Sequence, residues 1–188
     1  TTSSVIAGTF TGASTAIPGT AGFWNNTVAG LDLYDSAGGS GYGVGVRFRP
    51  KNSSSTVAGI AALAPSSTSS ALVFHTQDSN GSVPERLRLD ASGNLGLGVT
   101  PSAWANTRAF DIGTFGAVSC DTVTSGVLSF AYNCYAEGAS TWKYKGAGTA
   151  GLYQATDSHK WYTAASGTAG NAITFTTAMV LDASGNLG

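Results

Sequence analysis

Paired carboxylates are the first chemistry to look for in this chain, because glycoside hydrolysis needs two of them ~5–9.5 Å apart, one with a raised pKa. Glu85 and Glu137 are the only glutamates. Asp90 and Asp182 stand in turn-like contexts, where a carboxylate bonds the local backbone rather than a substrate. Asp157 and His159 lie close together and read either as an acid–base pair or as a solvated loop pair. Serine is plentiful, yet no Gly-x-Ser-x-Gly elbow occurs to present a nucleophile. His75 and His159, the only histidines, have no Cys or His at ligand spacing, and Cys120 and Cys134 form no C-x-x-C, so no metal site is expected. Glycines 39, 41, 43 and 45 do not follow G-x-G-x-x-G, and no Gly-Lys-Ser/Thr comes after them, so no nucleotide or other cofactor is expected either. The chain reads as a non-enzyme.

Binding chemistry is better represented. Aromatic residues gather late in the chain, and Trp142, Tyr144, Trp161 and Tyr162 are the candidate platform for stacking on sugar rings. The competing reading of these four is core or interchain packing. Basic residues come in pairs spaced by two, Arg47/Arg49, Arg86/Arg88 and Lys143/Lys145, so each pair leaves one face of an expected strand. Such a face suits an acidic polysaccharide, or it is a solvated face that deters edge-to-edge aggregation.

The elements that must position these groups are strands. Arg86-Leu87-Arg88-Leu89 alternates with period two, and Asp90-Ala91-Ser92-Gly93 supplies turn chemistry after it. Leu95, Leu97 and Val99 then share one face, with Asn94, Gly96 and Gly98 on the other. Ala71 to Gln77 reads as a strand running into an Asn80-Gly81 turn. The alternating glycines from Gly39 to Gly45 leave one face of a strand bare for close approach by another backbone, or else form a loop. Only Ser102 to Arg108 suggests a short helical turn. The fold class is all-β.

Leu89-Asp90-Ala91-Ser92-Gly93-Asn94-Leu95-Gly96 recurs unchanged as Leu181-Asp182-Ala183-Ser184-Gly185-Asn186-Leu187-Gly188. Val46-Arg47-Phe48-Arg49 is echoed by Thr141 to Tyr144, and Leu72 to His75 by Lys160 to Thr163. The chain therefore divides into two related β modules, residues 1–99 and 100–188, each ending in the octapeptide, with the seam near residues 97–103. Because the second copy stops where the first continues as Leu97-Gly98-Val99, a longer parent protein is expected.

Composition narrows the partners. Charged residues are 10 % of the chain, well below the ~25 % of an ordinary soluble domain. With 42 % hydrophobic residues and a net charge of -1, the chain folds but has few charges to solvate a surface, so part of that surface is expected to face copies of itself. The neutral balance argues against nucleic acid. No apolar run approaches the ~20 residues that span a bilayer, so no membrane insertion is expected.

The run from Leu72 to Gln77, followed by Glu85 to Pro101, resembles a pattern recurrent in bacteriophage tail fibres and tailspikes, many of which end in a self-cleaving intramolecular chaperone domain. Trp142-Lys143-Tyr144-Lys145, His159-Lys160-Trp161-Tyr162 and Ser166 to Phe175 are similar to it as well. The resemblance implies an elongated, intertwined homotrimeric fibre on the virion, assembled in the host cytoplasm; Cys120 and Cys134 either pair across neighbouring strands or, as a reducing cytosol favours, stay free, half-buried thiols. Its partners are then two identical chains and a bacterial surface glycan or outer-membrane receptor. Three functions follow: attachment by recognising a glycan without altering it, a purely structural shaft, or a polysaccharide depolymerase.

Overall fold

Period-two patterning produces strands throughout the residues that the computed structural model describes: 43–48, 58–66, 68–122, 126–138 and 140–188. In chain order these are β1 (Gly43–Phe48), β2 (Ala58–Ser66), β3 (Ser69–Thr76), β4 (Glu85–Leu89), β5 (Leu95–Leu97), β6 (Thr107–Ile112) and β7 (Gly116–Asp121). There follow β8 (Leu128–Tyr132), β9 (Cys134–Ala136), β10 (Trp142–Tyr144), β11 (Gly148–Ala155), β12 (His159–Gly167) and β13 (Thr176–Leu181). The fold is all-β, with no helix among the described residues. The stretch expected to make a helical turn from Ser102 is irregular, and Arg108 lies inside β6.

An 11-stranded sheet runs in the order β1-β2-β3-β4-β5-β6-β7-β8-β11-β12-β13, and β9 and β10 form a separate two-stranded sheet. Among the described residues the main sheet is antiparallel except where β5 meets β6 in parallel, Leu95 opposite Phe110 and Leu97 opposite Ile112. That pairing crosses the seam expected near residues 97–103, so the sheet passes from one stretch of the duplication to the other through hydrogen bonds. Of the glycine alternation, Gly39 and Gly41 lie outside the described residues. A Cβ on Gly43 or Gly45 would lie 2.5 Å from Ala62 O or 2.7 Å from Ile60 O. The close approach comes from β2 of the same chain.

Local chemistry sets the turns. At the Asn80-Gly81 turn the Asp78 carboxylate accepts from the Asn80 and Ser82 N–H groups, and Gly81 takes a φ of 85°. The duplicated octapeptide builds the same turn twice. Asp90 Oδ1 accepts from Ser92 N at 2.9 Å and Asn94 N at 2.8 Å, and Asp182 Oδ1 from Ser184 N and Asn186 N at the same distances. Gly93 and Gly185 close the two turns with φ of 81° and 83°, a conformation open to glycine at little steric cost.

Tertiary load separates the copies. Asn94 is 1 % exposed, and its Oδ1 accepts from Ala109 N at 3.1 Å, tying the turn to β6. Asn186 is exposed.

The two faces of the main sheet differ in kind. One carries small and polar residues: Ala109 and Asp111 on β6, Ala117 and Ser119 on β7, Ser129 and Ala131 on β8, all buried. It is covered by Trp104, Tyr144, Cys134 and Ala136, with Tyr135, Trp142 and Phe175 packed alongside. Small residues suit that side because bulky rings must fit against it at close-packed density. The other face carries the large apolar residues and is open.

Asn133 separates β8 from the small sheet. Buried at 1 % exposure, it adopts a φ of 54°, a left-handed conformation that asparagine tolerates. Its side chain donates to Thr149 O at 3.0 Å and accepts from Gly146 N at 2.8 Å. The chain thus leaves the main sheet at Asn133 and lays β9 and β10 over the small-residue face.

The duplication supplies its own control. Asn94→Ala is expected to cost about 1–3 kcal/mol, because the buried Ala109 N–H loses its side-chain acceptor. Asn186→Ala, in the same octapeptide, should change stability by less than ~0.5 kcal/mol. Denaturant unfolding of the two variants checks this; equal losses would mean that the turn itself, and not its burial, holds the sheet.

Candidate functional site

The structure divides the four candidate platform residues between two surfaces. Tyr144 is buried, and its hydroxyl donates to Ala165 O at 2.6 Å. Trp142 is wedged edge-on between Trp104 and Phe175, with ring centroids 6.1 Å away in each case. Tyr162 leans on Phe175 at 5.9 Å. These three lie over the small-residue face. Trp161, next along β12 from Tyr162, projects to the opposite side.

On that open side Trp161 has company. Tyr153 of β11 stands opposite it in register, with ring centroids 5.1 Å apart. His159 sits two residues along from Trp161 and stacks on Tyr153 at 6.0 Å, the planes within 18°. The tyrosine hydroxyl and His159 Nδ1 share a hydrogen bond, which fixes both rings. Beyond this cluster the hairpin loop is polar. Asp157 takes hydroxyl hydrogen bonds from Thr156 and Ser158, and these, Thr156 first, hold its exposed carboxyl below the usual range. Asp157 and His159 therefore each have a partner of their own. The result is a half-buried aromatic shelf with fixed ring orientations beside a loop of hydroxyls and one carboxylate. Sequence reading singled out Trp161 and His159 but not Tyr153 as their neighbour, because only the β11–β12 register reveals it.

Charged groups elsewhere are largely committed. Glu85 binds the Arg88 guanidinium through both oxygens, and Glu137 pairs with Lys143. Arg86 donates to Thr76 Oγ1. The side chains of Arg47 and Arg49 lie outside the described ones. Lys145 departs furthest from expectation: it falls just beyond β10 and turns inward to Asp111, 2.7 Å away, with the two side chains 4 % and 1 % exposed.

A buried Lys–Asp pair invites a catalytic reading, but its bonds are filled. Asp111 Oδ2 accepts from Ser102 N at 2.7 Å, and Oδ1 accepts from the Trp104 indole N–H at 3.0 Å as well as from Lys145. Lys145 also donates to Gly116 O and lies 5.5 Å from the Trp104 ring centroid. This is a tie between β6, the 99–106 connection and the end of β10. Both cysteines are free. Cys120 is exposed, while burial pushes the Cys134 thiol up to about 12, so it stays protonated at neutral pH. Among the described residues no group of three or more His, Cys, Asp or Glu is placed to hold a metal ion, and no helix is long and apolar enough to cross a membrane.

Comparison of the chain with protein-family models, curated proteins and solved structures gives no match.

Removing one partner of a buried ion pair leaves a charge with no compensation, so Lys145→Met is expected to cost about 3–5 kcal/mol. Asp111→Asn combined with Lys145→Met should cost less than the sum of the single changes. A double-mutant cycle by denaturant unfolding measures the difference; strictly additive losses would show that the two charges do not depend on each other.

Proposed function

We propose that the chain is a segment of a bacteriophage tail-fibre-like appendage that works by presenting surfaces rather than by catalysis. In this reading it acts as part of a homotrimer and attaches to a bacterial surface glycan without altering it. The observation that carries the glycan part is the shelf of Tyr153, His159 and Trp161 on the open face, next to the Thr156-Asp157-Ser158 loop. Pyranose rings present a C–H face that stacks on aromatic rings, and their hydroxyls need donors and acceptors at the rim. Rings held by mutual stacking and by the Tyr153–His159 hydrogen bond lose little freedom when a sugar binds, which favours affinity. The resemblance of residues 72–101 and of the late aromatic segments to tail fibres supports the virion setting.

A structural shaft is the second reading, and the open apolar face of the sheet favours it, since a shaft needs interchain contact and no ligand.

Retention on host cells distinguishes them. The wild-type protein should adhere to glycan-bearing cells and lose adhesion on strains lacking the surface glycan, with no reducing ends released over time. Tyr153→Ala and Trp161→Ala should each weaken adhesion by about twofold to tenfold, in line with the loss of one aromatic contact worth ~0.5–1.5 kcal/mol. Adhesion indifferent to the glycan, or to both substitutions, would contradict the glycan reading, and release of reducing ends would contradict the non-catalytic one.

A further inference from the structure

Opposed residues in a sheet project to the same side, so the registers trace the open face strand by strand. Leu72 of β3 faces Leu89 of β4, Leu89 faces Leu95 of β5, Leu95 faces Phe110 of β6, and the row continues through Val118 of β7 to Phe130 of β8. A second row runs from Val46 of β1 through Ile60, Phe74, Leu87 and Leu97 to Ile112. Both rows are apolar from end to end, and neither contains an ionisable group. Among the described residues nothing covers them: Val46, Leu72, Leu89, Leu97 and Ile112 are 41–45 % exposed, and Tyr132 of β8 is 55 % exposed.

Leaving such side chains in water is costly, and contiguous apolar patches beyond a few hundred Å² are rare on monomers (~300–600 Å² is the largest on a typical one). Strands β1 to β8 as ordered in the sheet, spaced ~4.8 Å, span ~38 Å, and about five residues along each strand add ~17 Å. The product, ~650 Å² in projection, approaches the ~800 Å² per partner of a stable interface.

We infer that the open face across β1–β8 is buried against the same face of other copies of this chain. Its charge pattern selects that occupant. A foreign protein is usually recognised with help from complementary charge at the interface, and these two rows offer none. The two rows are self-complementary, because identical copies meet along them with no charge in either row; Arg108 of β6 stands on the same side at their flank, and the chain's net charge of -1 adds little repulsion between copies. This rests on the homotrimer in the proposed function and gives it a surface. The aromatic shelf on β11 and β12 lies beyond the interface strands, at its margin, where a ligand can still reach it.

Analytical ultracentrifugation of the wild type and of Ile112→Lys tests the inference. The wild type should sediment as three chains, and Ile112→Lys should fall to one while keeping its far-ultraviolet β signal. Should the lysine variant misfold, Ile112→Cys in a Cys120→Ser background, treated with a short thiol cross-linker, gives the same answer: a covalent two-chain product, the most that one accessible thiol per chain allows, supports the inference, and no product at all overturns it. A wild type that sediments as one chain also overturns it, whether the face is then bare or covered by residues 1–42. So does an Ile112→Lys protein that keeps the full mass. Cell adhesion by a one-chain protein would leave the glycan reading standing while this one fails, so the two can be told apart.

Discussion

Asp111 is a charge placed where the sheet is covered, and much of the structure follows from keeping it satisfied. An isolated carboxylate at 1 % exposure would be strongly disfavoured. It is stabilised by hydrogen bonds from Ser102 and Trp104 and by the Lys145 ammonium. Each donor fixes a different piece of chain. Ser102 and Trp104 hold the connection that brings β6 back parallel to β5, and Lys145 holds the end of β10 against the sheet. With Trp104 anchored, the rings of Tyr135 and Trp142 meet it edge-on at 6.2 and 6.1 Å. Beneath that aromatic layer β7 and β8 present Ala117, Ser119, Ser129 and Ala131, small residues that leave room for the rings. Lys143 and Glu137 clamp the far side of the small sheet in a more exposed position, where an ion pair contributes little.

The opposite face obeys the reverse logic. Its two central rows are large and apolar, with Arg108 at their flank, and no layer among the described residues lies on them; the proposed copies would supply that layer. One sheet thus carries two different faces, one buried within the chain and one that, in the proposed reading, other copies would bury. The low charge content fits the second, since few ionisable groups are needed on a surface that does not meet water.

What could be read from the residues was local. Turns were legible because Asp, Asn and Gly set them through bonds two and four residues away, as in the Asp90 and Asp182 turns. The strands were legible from alternation. Which side of a strand is covered was not, because period two separates the faces without ranking them. Leu95 and Leu97 look like core, yet it is Asn94 and Gly96 that are buried. The spacing of Lys143 and Lys145 suggested a shared outward face, but β10 ends at Tyr144, and Lys145 follows Asp111 instead. Tyr153 joins Trp161 only through a register that no local pattern states. The four aromatic residues first grouped by composition are split by the elementary fact that neighbours along a strand point opposite ways, which sends Trp161 away from Tyr162.

The central claim, that the open face belongs to an interface between copies, is tested most directly by hydroxyl-radical footprinting of the native protein. Leu152, buried in the single chain at 5 % exposure, and Leu187, exposed at 71 %, serve as internal references. If copies cover the face, Leu97, Ile112 and Tyr132 will be oxidised as slowly as Leu152, and will become reactive in a variant that sediments as one chain. Oxidation of these residues at the rate of Leu187 in the native protein would contradict the account.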